Sequence, residues 1–205
     1  MTLYNIQTGL LGVNTYFLVN DQTKQCIVVD RGEKYDKIMA YATDLGVTIK
    51  ALLLTHSHYD HSHNAKLIQQ DGVKVYASQK ESRKLESGQT LCEHFRKAPE
   101  PFSPDYEFVD GEVLNICDIE IKVKLTPGHT DGSAIFIVED MIFSGDTLFF
   151  ESVGRTDFPT GNREQLIASV KRLYQLEGDY TVYPGHDDFT TLEHERKYNT
   201  FVDYD

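Results

Sequence analysis

The sequence predicts an α/β fold in which sheets are covered by helices on their outer faces. Three observations lead there. Short β-rich runs gather in each half of the chain, helical stretches follow them, and several strand-like runs stop at turns carrying histidine or aspartate. At 205 residues and 40% hydrophobic content, the chain reads as one compact domain spanning 1–205.

Residues 14–20 and 25–30 are β-rich runs joined by the polar turn Asp21-Gln22-Thr23-Lys24, a hairpin signal. Residues 34–45 bring Ile38, Met39 and Ala42 round at helical spacing, with Gly46 placed as a C-terminal cap. Residues 50–55 are a continuous apolar run that opens into a histidine-rich loop, as a buried strand does. A helix is expected from Asn64 to Gly72 and a strand over 73–77. Over 79–105 the charge and the prolines Pro99, Pro101 and Pro104 suggest a helix followed by an irregular excursion. Strands return at 113–116, 119–125 (cleanly alternating), 133–138 and 141–143. Helices at about 162–176 and 190–199 close the chain around a short strand at 180–183.

The formal charge of -12 argues against nucleic acid as a partner, since it repels phosphate backbones. Cys26, Cys92 and Cys117 are an odd, scattered set that frames no disulfide scaffold, so a reducing, cytoplasmic setting is expected. The first residues lack a leader pattern, and no window approaches the roughly 20 apolar residues that span a bilayer. The sequence carries no signal for oligomeric state.

The sharpest local signal is His56-Ser57-His58-Tyr59-Asp60-His61, four metal-ligand types in six residues at the mouth of a predicted buried strand. In an extended turn His56 and His58 project to one side, whereas Asp60 and His61 begin the next helix and face a neighbouring position. One short segment can thereby serve two adjacent ions. A solvated polar loop is the plainer alternative for such a stretch. Three more turns end strand-like runs with a ligand type: Pro127-Gly128-His129-Thr130, Ser144-Gly145-Asp146-Thr147 and Pro184-Gly185-His186-Asp187. Each alone reads as an ordinary turn; their order after the histidine cluster makes them reinforce one another.

The ordered set THxHxDH, PGHT, SGDT and PGHD resembles the metallo-β-lactamase superfamily from about residue 10 to the C-terminus. The string from Ser144 to Phe149 followed by Val153 to Asp157 is similar to its small glyoxalase II-like hydrolases. The resemblance implies a four-layer αββα sandwich with two divalent metal ions at one edge. His56, His58 and His129 would hold the first ion, Asp60, His61 and His186 the second, and Asp146 both. Zinc is the first expectation, and iron or manganese suit the same ligands. Asp146 argues against the zinc β-lactamases, several of which carry cysteine at that step. The implied reaction is hydrolysis of an S-acyl thioester, such as an S-lactoyl one, by a metal-bridging hydroxide, with Asp146 and Asp60 in the catalytic centre; Asp60 is assigned first as a ligand, with orienting the water as its alternative role.

Tyr59 and Arg155 are candidate substrate contacts. Tyr59 equally suits packing under the sheet, and Arg155 with Asp157 equally reads as an internal pair stiffening a loop. Asp30, Thr55, Thr130 and Asp131 are placed to orient the ligands, although each reads first as a turn or strand-end residue. His63 departs from the small residues that follow the DH pair in the family and is taken as a surface histidine at a helix start. His94 and His194 are read as solvent-exposed. Full-length glyoxalase II enzymes add a C-terminal helical segment with basic glutathione contacts that 205 residues leave no room for, so the thiol carrier stays open. Two other functions compete: a mononuclear iron persulfide dioxygenase, which needs only part of the same residues, and a non-catalytic metal-binding scaffold. Ribonuclease-type relatives rank below these on length and charge. The full set of seven ligand types speaks against the scaffold.

Overall fold

The computed structural model describes residues 1–32, 34–91 and 100–203. Two six-stranded mixed sheets, one from each half of the chain, lie face to face. The first runs β1 (Thr2–Thr8), β2 (Val13–Val19), β3 (Gln25–Val29), β4 (Thr48–Leu53), β5 (Lys74–Ser78), β6 (Tyr106–Phe108). The second contains β7 (Val113–Ile116), β8 (Ile119–Leu125), β9 (Ala134–Val138), β10 (Met141–Gly145), β13 (Thr181–Pro184) and β14 (Thr190–Thr191). A small ribbon of β11 (Leu148–Phe149) and β12 (Ser152–Val153) stands apart.

Alternation explains the layers. β8 buries Ile119, Ile121 and Val123 and exposes the residues between them. Those side chains meet Tyr16, Leu18, Ile27, Val29 and Leu53 of the first sheet in the central core. β2 is buried along its whole length because its other face is covered too. There Phe17, Val28, Leu52 and Val75 pack beneath the helices α1 (Tyr35–Asp44), α3 (Ala65–Gln70) and α4 (Gln79–Ser87). On the far side, Ile135, Ile137 and Ile142 meet Val170 and Leu173 of α5 (Arg163–Tyr174) and Leu192 of α6 (Leu192–Tyr198). The architecture is the expected αββα sandwich. None of the helices among the described residues is long and apolar enough to cross a membrane.

The hairpin, the strands after residue 48 and the closing helices fall where the periodicity places them. β1 has no counterpart in the sequence reading because, as an edge strand, it leaves Tyr4 and Asn5 exposed and lacks a clean apolar alternation. β6, β11, β12 and β14 span only two or three residues each, too short for periodicity to register. The helix expected within 79–105 is α4, while 92–99, including Cys92, His94 and Pro99, lies outside the described residues.

Candidate metal centre

Each predicted ligand sits just beyond the C-terminal end of a strand, and four such strands point to one edge of the sandwich. β4 delivers His56 and His58, and the single helical turn α2 (Tyr59–Ser62) adds Asp60 and His61. β8 leads to His129, β10 to Asp146 and β13 to His186. Parallel pairing of β10 with β13 sets Gly145 opposite Pro184, and Gly185 N–H donates to Gly145 O at 2.9 Å, so the last two loops leave side by side. The halves are stitched here: Asn14 N–H donates to Gly185 O (2.7 Å) and Ala134 N–H to Thr55 O (2.8 Å).

The glycines of these turns permit the approach. A Cβ on Gly185 would lie 2.4 Å from Asp146 Oδ1 and 2.6 Å from His61 Cε1. Gly128, at φ +146, would drive a Cβ to 2.3 Å from the backbone of Leu166.

All seven residues converge. Ligand atoms of His56, His58 and His129 lie within 4.8 Å of one another, as do those of His56, His61 and Asp146, and those of Asp60, His61 and His186. Asp146 stands between the groups, with Oδ1 3.3 Å from His61 Nε2 and Oδ2 3.5 Å from His129 Nε2. Four imidazoles are anchored from behind through Nδ1. His61 bonds Asp30 Oδ2 (2.9 Å), His56 bonds Thr55 Oγ1 (3.0 Å), and His129 and His186 donate to the carbonyls of Arg155 (2.8 Å) and Leu11 (3.1 Å). In their neutral forms these rings turn Nε2 lone pairs inward, where they meet one another and two carboxylates. His61 Nε2 and His186 Nε2 are 3.2 Å apart, and buried His56 Nε2 has no hydrogen-bond partner. A buried cluster made of acceptors is what cations satisfy, so these residues fit a divalent metal site.

The electrostatics divide the ligands into two groups. Burial, reinforced by His61 and its other histidine neighbours, holds the pKa of His56 well below the usual imidazole range. Burial and His129 bring that of His58 down to about 3. Both rings are therefore neutral and ready to ligate at pH 7. Burial works against charge on His61, yet Asp146, Asp30 and Asp60 outweigh it and raise its pKa well above the usual value. For Asp146 burial is again opposed, here by His61, His129 and His186, and the carboxyl stays well below the ordinary range.

Asp30 proves more than a strand-end residue. It is buried at φ +50, its Oδ1 accepts Thr55 N–H (2.8 Å), and its Oδ2 accepts the Thr55 hydroxyl (2.7 Å) and faces His61. Asp30→Asn is expected to weaken metal binding about 10- to 100-fold, the usual effect of losing a carboxylate behind a ligating histidine. A competition titration with a metal-sensitive dye checks this, and unchanged affinity would count against the orienting role.

Other residues differ from expectation. His63 is half-buried at the end of α2, stacked on Tyr59 with ring centroids 4.2 Å apart and Nε2 3.2 Å from the tyrosine hydroxyl. His194 is half-buried, paired with Glu151 (3.0 Å) and stacked on Phe150. Thr130 and Asp131 face Glu81 and Lys84, with Thr130 Oγ1 donating to Glu81 Oε1 at 2.8 Å and Lys84 Nζ 2.6 Å from Asp131 Oδ1. Sequence reasoning missed Glu81. It is fully buried and also accepts Ser57 N–H (2.9 Å), so it ties the His56–His58 loop to the His129 loop. Tyr59 is buried and lines the cleft above the ligands, about 380 Å³ in volume, together with Leu11, Leu91, Phe149, Phe158 and Arg155.

An αββα sandwich with this His/Asp cluster at the strand ends defines a metal-dependent hydrolase. The chain belongs to the metallo-β-lactamase superfamily, whose family model matches residues 8–186. It is 33% identical to hydroxyacylglutathione hydrolase GloC of Haemophilus influenzae, over 90% of this chain and 91% of that protein. Among solved structures it superposes on BLEG-1, a B3 metallo-β-lactamase, with TM-score 0.92 and 29% identity, covering 98% and 99% of the two chains. On TTHA1623 in a di-iron-bound form the TM-score is 0.86 with 30% identity, covering 97% and 100%.

Proposed function

We propose that this hydrolase cleaves S-acyl thioesters at a binuclear centre, with His56, His58 and His129 holding one divalent ion, Asp60, His61 and His186 the other, and Asp146 shared. The observation that carries the reading is the set of inward-facing imidazole nitrogens, each ring but His58 fixed from behind, around the two oxygens of Asp146. When bound, such a pair of ions polarises a carbonyl and lowers the pKa of coordinated water from 15.7 toward roughly 7. The protein then needs no nucleophile of its own, and among the described residues lining the cleft there is no serine or cysteine. Asp60, on the cleft wall with Oδ2 3.2 Å from His186 Nε2, orients the attacking water. Water adds to the carbonyl carbon, the C–S bond breaks, and the thiolate leaves with its electron pair; one of the water's two protons ends on the thiol and the other passes to solvent, giving a carboxylate and a thiol. GloC supports this choice of substrate, and the di-iron form of TTHA1623 supports a two-metal site while leaving zinc and iron as alternatives.

The test is elemental analysis of the purified protein beside hydrolysis of S-lactoylglutathione and of the neutral S-lactoyl-N-acetylcysteamine, with and without a chelator. About two metals per chain and chelator-sensitive release of thiol are expected. One iron per chain, no hydrolysis, and sulfite formed from a thiol persulfide with oxygen uptake would replace the thioesterase with the dioxygenase.

A further inference from the structure

Among the described residues, the cleft beside the metal centre holds few charges that are free to meet a substrate. Apart from the predicted ligands, its described wall is largely apolar, with Leu11, Tyr59, Leu91, Phe149 and Phe158. Arg155 is the cation among the described residues of this wall, and it is already engaged. Its Nε and a terminal nitrogen each donate to Asp157 at 2.7 Å, a bidentate pair, and its guanidinium carbon lies 3.8 Å from the centre of the Phe158 ring. The hydrogen bonds from Arg155 pull the Asp157 pKa down to about 2, so the aspartate is ionised at neutral pH and carries the charge that opposes Arg155. A second hollow of about 300 Å³ shares His58 and Leu91 with the first and has Lys84 in its wall. Lys84 is committed as well, at 2.7 Å from Glu81 and 2.6 Å from Asp131. Asp187 on the rim of the main cleft adds a carboxylate of its own.

We infer that the substrates are uncharged thioesters with an apolar or aromatic flank, and that a carrier bearing carboxylates, such as glutathione, is disfavoured. This rests on the thioesterase reading. Apolar contact with Leu11, Phe149 and Phe158 supplies the binding energy. A carboxylate gains little, because it must compete with Asp157 for Arg155 and approach Asp187. Arg155 and Asp157 together are a specificity element: the arginine faces the cleft, and the aspartate cancels it.

The metal-loaded full chain is assayed on two lactoyl thioesters that differ only in the thiol, glutathione and N-acetylcysteamine, and on the hexanoyl thioester of N-acetylcysteamine. The neutral lactoyl thioester is expected to exceed the glutathione one in kcat/KM, and the hexanoyl thioester to exceed both. Asp157→Asn is expected to shift the glutathione-to-neutral ratio toward glutathione by roughly fivefold, about the effect of one exposed ion pair. A wild-type preference for the glutathione thioester, or a ratio that Asp157→Asn leaves unchanged, overturns the inference. Binding of the non-hydrolysable thioethers S-hexyl-N-acetylcysteamine and S-hexylglutathione, followed by calorimetry, separates the two levels. Tighter binding of the neutral thioether without turnover of any thioester would retain the uncharged-ligand reading of the cleft and remove the thioesterase. Tighter binding of the glutathione thioether would remove the uncharged-ligand reading itself.

Discussion

Asp146→Ala is expected to lower thioester hydrolysis by more than the 10- to 100-fold typical of losing a group behind a ligand, and to lower metal content in parallel. Three features set that magnitude. The carboxylate stands between both histidine groups, 3.3 Å from His61 Nε2 and 3.5 Å from His129 Nε2, so its removal strips charge from both positions at once. It is one of two carboxylates among the seven converging side chains, and with it gone a pair of divalent ions faces five neutral rings and Asp60 alone. It is also set among three imidazoles, His61, His129 and His186, which lose their shared counter-charge when it is removed. Elemental analysis and kcat/KM on the same preparation check this. A variant that keeps two metals and most of its activity would rule out the shared role.

Glu81→Ala is expected to cost about 3 kcal/mol of stability, toward the lower end of the 3–5 typical of breaking a buried ion pair, because Lys84 keeps Asp131 as a partner. The carboxylate is fully buried and accepts from the Ser57 backbone and hydroxyl, the Thr130 hydroxyl (2.8 Å) and Lys84 (2.7 Å). Alanine leaves those donors inside the protein without an acceptor. For a chain of this length the loss corresponds to roughly 10 °C in Tm. Thermal unfolding with metal removed from both proteins isolates the effect from ligand binding. A shift below about 2 °C would show that water or a neighbour replaces the carboxylate.

Glu81 also shows where sequence reasoning reaches its limit. Ser78-Gln79-Lys80-Glu81 has the form of a local capping box, and Ser78 Oγ does accept Glu81 N–H, at 3.4 Å. The Glu81 side chain, however, turns to Ser57 and Thr130, 24 and 49 residues away along the chain. In a segment so rich in charge it reads as a solvated residue, because nothing local reveals a long-range partner. Asp30 was named as a candidate to orient a ligand by its position alone, and its partner, His61, 31 residues on, had no local signal. The ligand-type residues were legible for the opposite reason: each lies at the abrupt end of an apolar run, and strand ends collect in space whatever their separation in sequence. That sheets are covered by helices was legible from the strand runs, alternation in β8 among them, while the αββα sandwich itself came from the resemblance to the superfamily. The edge strand β1 was not legible, because half-exposed residues blur the pattern.

The two sheets come from successive halves of the chain, and the ligand set straddles them: four of the seven residues precede residue 62 and three follow residue 128. His58 and His129 are 71 residues apart, and His61 and His186 are 125. Bound ions therefore act as tethers across very long loops, and closing loops of that size removes on the order of 4–5 kcal/mol of freedom from the unfolded chain when the link is covalent. Cys26 and Cys117, the cysteines among the described residues, are free, and a bound cofactor would supply a comparable restraint. During synthesis the first sheet emerges with its inner face of Tyr16, Leu18, Ile27 and Leu53 bare until the second half arrives to cover it, and metal capture would add a further tie to the core that joins the late half to the early one.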